Sequence, residues 1–129
     1  MALSRSVGDG RLAAAREFWV ARIDVDETLG RLHRGEAIAF VDARREEQWR
    51  RATDKLPGAL RLAPNVPDET LPVIPAGRAA VAYCACPAQA SSVAAAELLR
   101  ARGYENVYVL EGGLEAWRLA RGPTEPIEP

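Results

Sequence analysis

Lysine is almost missing from this chain of 129 residues: Lys55 is the one lysine among 17 basic residues, and the others are arginines spread along the chain. They are balanced by 18 acidic residues, for a net charge of -1. Without a basic surplus or block there is no electrostatic footprint for a phosphate backbone, so nucleic acid is excluded as a main partner. The arginines read as solvated helix faces and ion pairs. Long apolar runs are also lacking. None approaches the roughly 20 residues of a membrane span, and Met1 to Gly10 has no apolar stretch of the signal-peptide kind, so a cytoplasmic chain with no membrane partner is expected. Histidine occurs once, as His33 on a predicted helix, and cysteine twice; these are too few ligands, too far apart, for a structural zinc. Cys84 and Cys86 lie one residue apart, so a disulfide between them closes only a small strained ring. Neither a metal nor a cofactor is expected.

What remains is an ordinary composition, with 48% hydrophobic and 27% charged residues, and a length that suits one domain. Val25, Leu29 and Leu32 fall at helical spacing behind the capping pair Asp24 and Glu27, with Gly35 as the stop. Ala37 to Val41 is a continuous apolar run, as in a strand buried on both faces of a parallel sheet. Arg44 to Arg51 reads as a short surface helix, Ala59 to Leu62 as a short strand, and the four prolines from Pro64 to Pro75 as a loop or single turn. A third strand is predicted over Ala79 to Tyr83. A helix capped by Ser91 or Ser92 then runs to Arg102, with Ala90, Ala94, Leu98 and Ala101 on one face. Val107 to Leu110 is a fourth strand, turned by Gly112-Gly113 into a helix that carries Leu114 and Trp117 and stops at Gly122-Pro123. This alternation predicts an α/β domain over residues 23–123, with a mainly parallel sheet between helices. Residues 1–22 form an N-terminal extension with a helix at Leu12 to Trp19, and residues 124–129 an extended tail.

The cysteines fall where this pattern concentrates chemistry. Cys84 directly follows a strand, and the loop after it leads to a helix start, where unpaired N–H groups and the helix dipole favour an anion and a thiolate. In a parallel sheet the loop after Asp42 opens on the same rim, which makes Arg44 a candidate anion contact, although pairing with Asp42 is its plainer role.

Five strings in order carry a resemblance: Val41-Asp42-Ala43-Arg44, Leu56-Pro57-Gly58-Ala59, Tyr83-Cys84, Gly103 to Val107, and Leu110 to Trp117. Together they resemble a single-domain rhodanese over roughly Ile23 to Pro123. The resemblance implies a three-layer α/β fold with a five-stranded sheet, and a cysteine that carries a sulfane sulfur as a persulfide. It further implies a small sulfur donor, a thiol or cyanide acceptor, and room for a protein acceptor. Two departures stand out. Lys55 occupies the place of the family's usual histidine before Pro-Gly-Ala, in a slightly longer connection. The substrate-binding loop Ala85, Cys86, Pro87, Ala88, Gln89, Ala90, Ser91, Ser92 is longer than usual and has no Lys, Arg or Gly.

That length leaves two candidate nucleophiles. Counting forward from the strand gives Cys84, and counting back from Leu98-Leu99 gives Cys86. Cys84 is preferred because the sheet holds a strand end, while Cys86 precedes Pro87, which has no N–H to offer. Cys86 is then a second thiol or a bystander, in a Cys-x-Cys-Pro variant of the loop. A loop without a basic residue predicts weak thiosulfate:cyanide sulfurtransfer. The alternative is a rhodanese-like binding module without turnover. Phosphatase or arsenate reductase chemistry needs a loop arginine that positions 85–92 do not supply.

Overall fold

Asp24 opens the first helix as its sequence predicts: its backbone is extended and its carboxylate accepts the Glu27 N–H at 2.7 Å, pairing a donor that the helix start leaves open. The computed structural model describes residues 20–63, 71–85 and 89–128. The helix expected at Leu12 to Trp19, most of the proline-rich stretch, and Cys86, Pro87 and Ala88 lie outside the described residues.

In chain order the elements are β1 (Ala21–Ile23), α1 (Val25–His33), β2 (Ile38–Asp42), α2 (Glu46–Arg51), β3 (Asp54–Lys55), β4 (Leu60–Arg61), β5 (Ala79–Tyr83), α3 (Ala90–Ala101), β6 (Val107–Leu110), α4 (Gly113–Leu119) and β7 (Glu125–Pro126). Five strands form one sheet in the order β1-β6-β5-β2-β4, and every neighbouring pair is parallel. This is the α/β architecture that the alternating pattern predicts. β2 and β5 are buried at every position, which is why they read as unbroken apolar runs.

Side-chain alternation along the strands divides the core between the two faces of the sheet. Ala39, Val41, Ala80, Ala82, Val107 and Val109 pack against Ala95, Ala96 and Leu99 of α3. Ile38, Phe40, Val81, Tyr83 and Leu110 face the other way, onto Val25 of α1 and Leu114 and Trp117 of α4. The α3 side is built from small residues: Ala80 and Ala82 meet Ala95 and Ala96, all nearly or fully buried, so the helix backbone can approach the sheet closely. The opposite side is bulkier and includes an edge-to-face contact of Phe40 and Trp117, with ring centroids 5.4 Å apart.

The structure corrects four of the local expectations. A domain start at residue 23 cuts through β1, which pairs Ala21 to Ile23 with Tyr108 to Leu110. The buried positions of α3 are Ser92, Ala95, Ala96 and Leu99, whereas Ala90, Ala94 and Ala101 are exposed. In a helix with alanine on every side, an alanine stripe carries little contrast. Neither Ser91 nor Ser92 caps α3; the cap position is Gln89, just ahead of them, in a left-handed conformation with φ 58°. The chain end is not merely extended, because Glu125–Pro126 pairs antiparallel with Asp54–Lys55.

An ion pair crosses to that small second sheet from α4. Arg118 donates to both carboxylate oxygens of Asp54, at 3.0 and 3.1 Å, and these bonds hold the Asp54 carboxyl below the usual carboxylate range. A carboxyl lowered in the folded state stabilises the fold above its unfolded pKa of about 3.9, and that contribution disappears as pH falls through the lower folded value. Both side chains remain partly exposed, so Arg118→Ala is expected to cost about 0.2–1 kcal/mol at neutral pH. The difference from the unaltered protein should close in acid denaturation series below about pH 3. A gap that persists there would show that Arg118 acts by packing instead of charge.

Candidate active site

The C-terminal rim of the sheet gathers Asp42, Arg61, Cys84 and Glu111 at or just past the ends of β2, β4, β5 and β6. Rims of this kind collect ligands in open parallel sheets, because the loops that leave the strand ends face one crevice.

Cys84 follows Tyr83 at the end of β5, is 1% exposed, and is present as a thiol. The strand end is fixed by Ala43, whose N–H donates to the Tyr83 carbonyl at 2.8 Å. The next carbonyl, that of Cys84 itself, accepts the Leu114 N–H of α4 at 3.0 Å. Gly113 makes that approach feasible. Its φ is 59°, and a Cβ there would lie 2.5 Å from the Cys84 carbonyl oxygen, so no side chain fits between the turn and the cysteine backbone.

The sulfur points to the α3 side of the sheet. Its S–H donates to the Ser92 hydroxyl at 3.5 Å, and Ser92 is fully buried in the first turn of α3. The Ser92 hydroxyl in turn donates to the Gln89 carbonyl at 3.0 Å. A hydroxyl has one proton, so while it serves Gln89 it meets the S–H with a lone pair. The serine expected to start the helix therefore orients the cysteine instead. Position alone does not reveal this, since a serine two residues inside a helix start reads first as a cap.

Gln89 is anchored from outside the loop. Arg22, from β1, donates to the Gln89 side-chain oxygen at 2.9 Å. Reasoning from sequence missed Arg22 because its strand has three residues and a single buried one; the available signal was Val20 and Ile23, apolar residues flanking it just before the Asp24 cap. The other loop residues divide as follows. Ala85 is exposed and, with Leu114, Glu115, Arg118 and Leu119, lines a surface pocket of about 320 Å³. Ala90 is exposed and Ser91 half-buried in the first turn of α3, and Cys86, Pro87 and Ala88 lie outside the described residues.

Arg44 is 3% exposed, and its guanidinium is committed to protein groups. Its Nε and Nη2 donate to Asp42, the shortest bond being 2.6 Å, and Nη2 also donates to the Asp54 carbonyl. Asp42 is fully buried and also accepts the Arg44 N–H and the Tyr83 hydroxyl, the latter at 2.7 Å. Burial works against the charge of Arg44, but the hydrogen bonds and attraction of Asp42 outweigh it and raise the pKa. Burial, and then the Asp42 carboxylate, push the Tyr83 phenol above its ordinary value, so it remains a donor. Arg61 closes the cluster by donating to the carbonyls of Asp42 and Arg44, with its guanidinium stacked 4.7 Å from the Trp49 ring. In this arrangement Arg44 fixes the strand ends around the cysteine and turns no charge toward an outside anion.

Lys55 donates to the Ala59 carbonyl at 3.1 Å and pairs with Glu125. His33 is exposed at the end of α1, far from the cysteine in the element order. Among the described residues no cluster of three or more His, Cys, Asp or Glu side chains is arranged to hold a metal, and no helix is long and apolar enough to cross a membrane.

The same architecture occurs in solved structures. The chain is similar to the rhodanese-like domain of the Alr3790 protein from Anabaena sp., with 31% identity over 82% of this chain and 79% of that one and a TM-score of 0.62. The BH2092 protein from Bacillus halodurans shares 24% identity over 90% of this chain and 84% of its own, with a TM-score of 0.67. The RPA3614 protein from Rhodopseudomonas palustris, described as of unknown function and a possible tyrosine phosphatase, shares 24% over 97% and 99%, with a TM-score of 0.66. The last two show likeness of fold alone. No curated protein matches. Residues 24–120 match the family described as the rhodanese-like domain, and with the β5 cysteine and the five-stranded parallel sheet in place, the chain belongs to that family.

Proposed function

We propose that this chain is a sulfurtransferase in which Cys84 takes a sulfane sulfur from a donor and passes it to a thiophilic acceptor. The observation that supports this most directly is the Cys84 thiol at the end of β5, hydrogen-bonded to Ser92 in the first turn of α3. With thiosulfate as donor, the Cys84 thiolate attacks the outer sulfur, the bond between the two sulfurs of the donor breaks, and its electron pair leaves with sulfite. The product is a Cys84 persulfide anion. A thiol or cyanide then attacks the terminal sulfur of the persulfide and returns Cys84 as thiolate. Small persulfides and protein persulfides serve as donors by the same displacement, with a thiolate as leaving group.

Ser92 has the role of a rotor in this scheme. When the sulfur loses its proton, the hydroxyl turns its own proton from the Gln89 carbonyl to the thiolate, replacing a neutral hydrogen bond by a charge-assisted one. Ser92→Ala is therefore expected to slow persulfide formation about tenfold, the weight of one hydrogen bond to a charged group, and Ser92→Thr to restore most of it. Equal rates in stopped-flow loading of Ser92→Ala and the unaltered protein would remove the rotor from the mechanism.

The test of the function is direct. The protein is incubated with thiosulfate and, separately, with glutathione persulfide, and its intact mass is searched for one added sulfur. Absence of the adduct with both donors rejects the proposal. The 1% exposure of Cys84 favours a second reading, a rhodanese-like binding module with a silent thiol. That reading requires Cys84 to resist iodoacetamide at neutral pH in the native protein and to react once it is unfolded.

A further inference from the structure

The sequence from Ala85 to Ser92 has no cation, yet a guanidinium is bonded to Gln89, brought by an edge strand 67 residues away. Arg22 lies on β1 opposite Val109, and its neighbour Ile23 packs into the core on the α1 side, so alternation sends Arg22 to the α3 side, where the Cys84 sulfur also points. It is exposed and gives one N–H to Gln89. A guanidinium has five N–H donors in a rigid fork, so others remain for a second acceptor. Among the described residues no carboxylate pairs with Arg22. The nearest in sequence, Asp24, is turned to the Glu27 N–H that it caps.

The residue Arg22 holds is a strained one. Gln89 has φ 58°, a conformation that costs a residue with a side chain and persists where its surroundings impose it. Two hydrogen bonds do so here: Arg22 on its side chain, and Ser92, the partner of the Cys84 thiol, on its carbonyl. One short chain of contacts thus runs from the Cys84 sulfur through Ser92 and Gln89 to Arg22.

Resting on the sulfurtransferase reading, we propose that Arg22 is the specificity-determining cation of this site and selects sulfur donors with an anionic end, such as the sulfonate of thiosulfate. The donor's outer sulfur meets Cys84 while its anionic end takes the guanidinium N–H groups that Gln89 leaves open. Donors with a cationic end gain nothing from Arg22. The arginine that such chemistry needs is supplied by β1 instead of by the loop.

The experiment compares two donors in the full chain: thiosulfate, and cysteamine persulfide, whose far end is an ammonium. Arg22→Gln also releases Gln89, so a modest loss common to both donors is expected, together with a further rise of about tenfold in KM for thiosulfate alone, the loss of one charged hydrogen-bonding partner. Arg22→Lys should recover part of the thiosulfate KM. Equal losses with both donors would make Arg22 a latch for Gln89 and overturn the proposal. A second arm titrates thiosulfate into Cys84→Ser protein, with and without Arg22→Gln, and follows the Gln89 side-chain amide by NMR. Saturable binding that weakens with Arg22→Gln is expected, and no dependence on Arg22 also overturns the proposal. If the unaltered protein loads no sulfur but this Arg22-dependent binding is present, sulfur transfer fails while the anion site stands.

Discussion

Cys84→Ser protein is expected to take up no sulfur from thiosulfate or glutathione persulfide, and its turnover should fall by roughly 10³-fold or more, to the uncatalysed background. The magnitude follows from chemistry. A serine hydroxyl is not ionised at neutral pH, and its oxygen neither attacks a sulfane sulfur readily nor stores it as a stable persulfide. The fold should survive. The site is small, the substitution nearly isosteric, and Ser92 can accept from a hydroxyl as it does from a thiol. Equal melting temperatures for the two proteins would confirm that chemistry alone was removed. Cys86→Ser should retain the adduct and most of the rate, with peptide fragmentation placing the added sulfur on Cys84. If the adduct follows Cys86 instead, the nucleophile is the second cysteine and the role of Ser92 falls with the assignment.

The largest stability effect is expected at Asp42. Asp42→Asn keeps the shape but places an amide NH2 among donors, namely the Arg44 guanidinium and the Tyr83 hydroxyl, and leaves a buried arginine without its counter-charge. Breaking a buried pair from one side typically costs about 3–5 kcal/mol. Against a net stability of about 5–15 kcal/mol for a domain, that is a large fraction, and a fall in Tm of roughly 10–20 °C should follow for a chain of this size. Replacing both members, as Asp42→Leu with Arg44→Met, should cost less than the two single changes added together, because no lone charge is then buried. A loss below about 1 kcal/mol for Asp42→Asn in urea denaturation would show that the pair contributes little. Asp42→Asn should also slow sulfur uptake, since Asp42 holds the Tyr83 phenol one residue before the nucleophile.

The parts of this molecule legible in its sequence are those where one residue type has one physical use. Asp24 could only cap, and the apolar runs at Ile38 to Val41 and Ala79 to Tyr83 could only be central strands. Gly112-Gly113 marked the β6 to α4 turn, and Cys84 stood at a strand end. Legibility failed where residues have several uses or where pairing is decided at a distance. The α3 face was obscured because alanine suits either side of a helix. The short strands β1, β3 and β7 have too few residues to show a period, and the last two are joined by their own pairing and by ion pairs, Lys55 with Glu125 and Arg118 with Asp54, between residues distant in sequence. Arg44 offered two readings, and only the geometry shows it turned inward on Asp42. Gln89 and Arg22 are joined across 67 positions, a contact to which no local pattern points.

The way Cys84 is held has a consequence for redesign. Its backbone is gripped by Ala43 through Tyr83 on one side and by the α4 turn on the other, and its sulfur by a residue of α3. These anchors belong to the end of β2, to α4 and to α3, so loop lengths and charges between Cys84 and Gln89 can be varied with all three left in place. Gly113 is the position such engineering must leave alone, because even one added methyl group there would meet the carbonyl of the cysteine on which every graft depends.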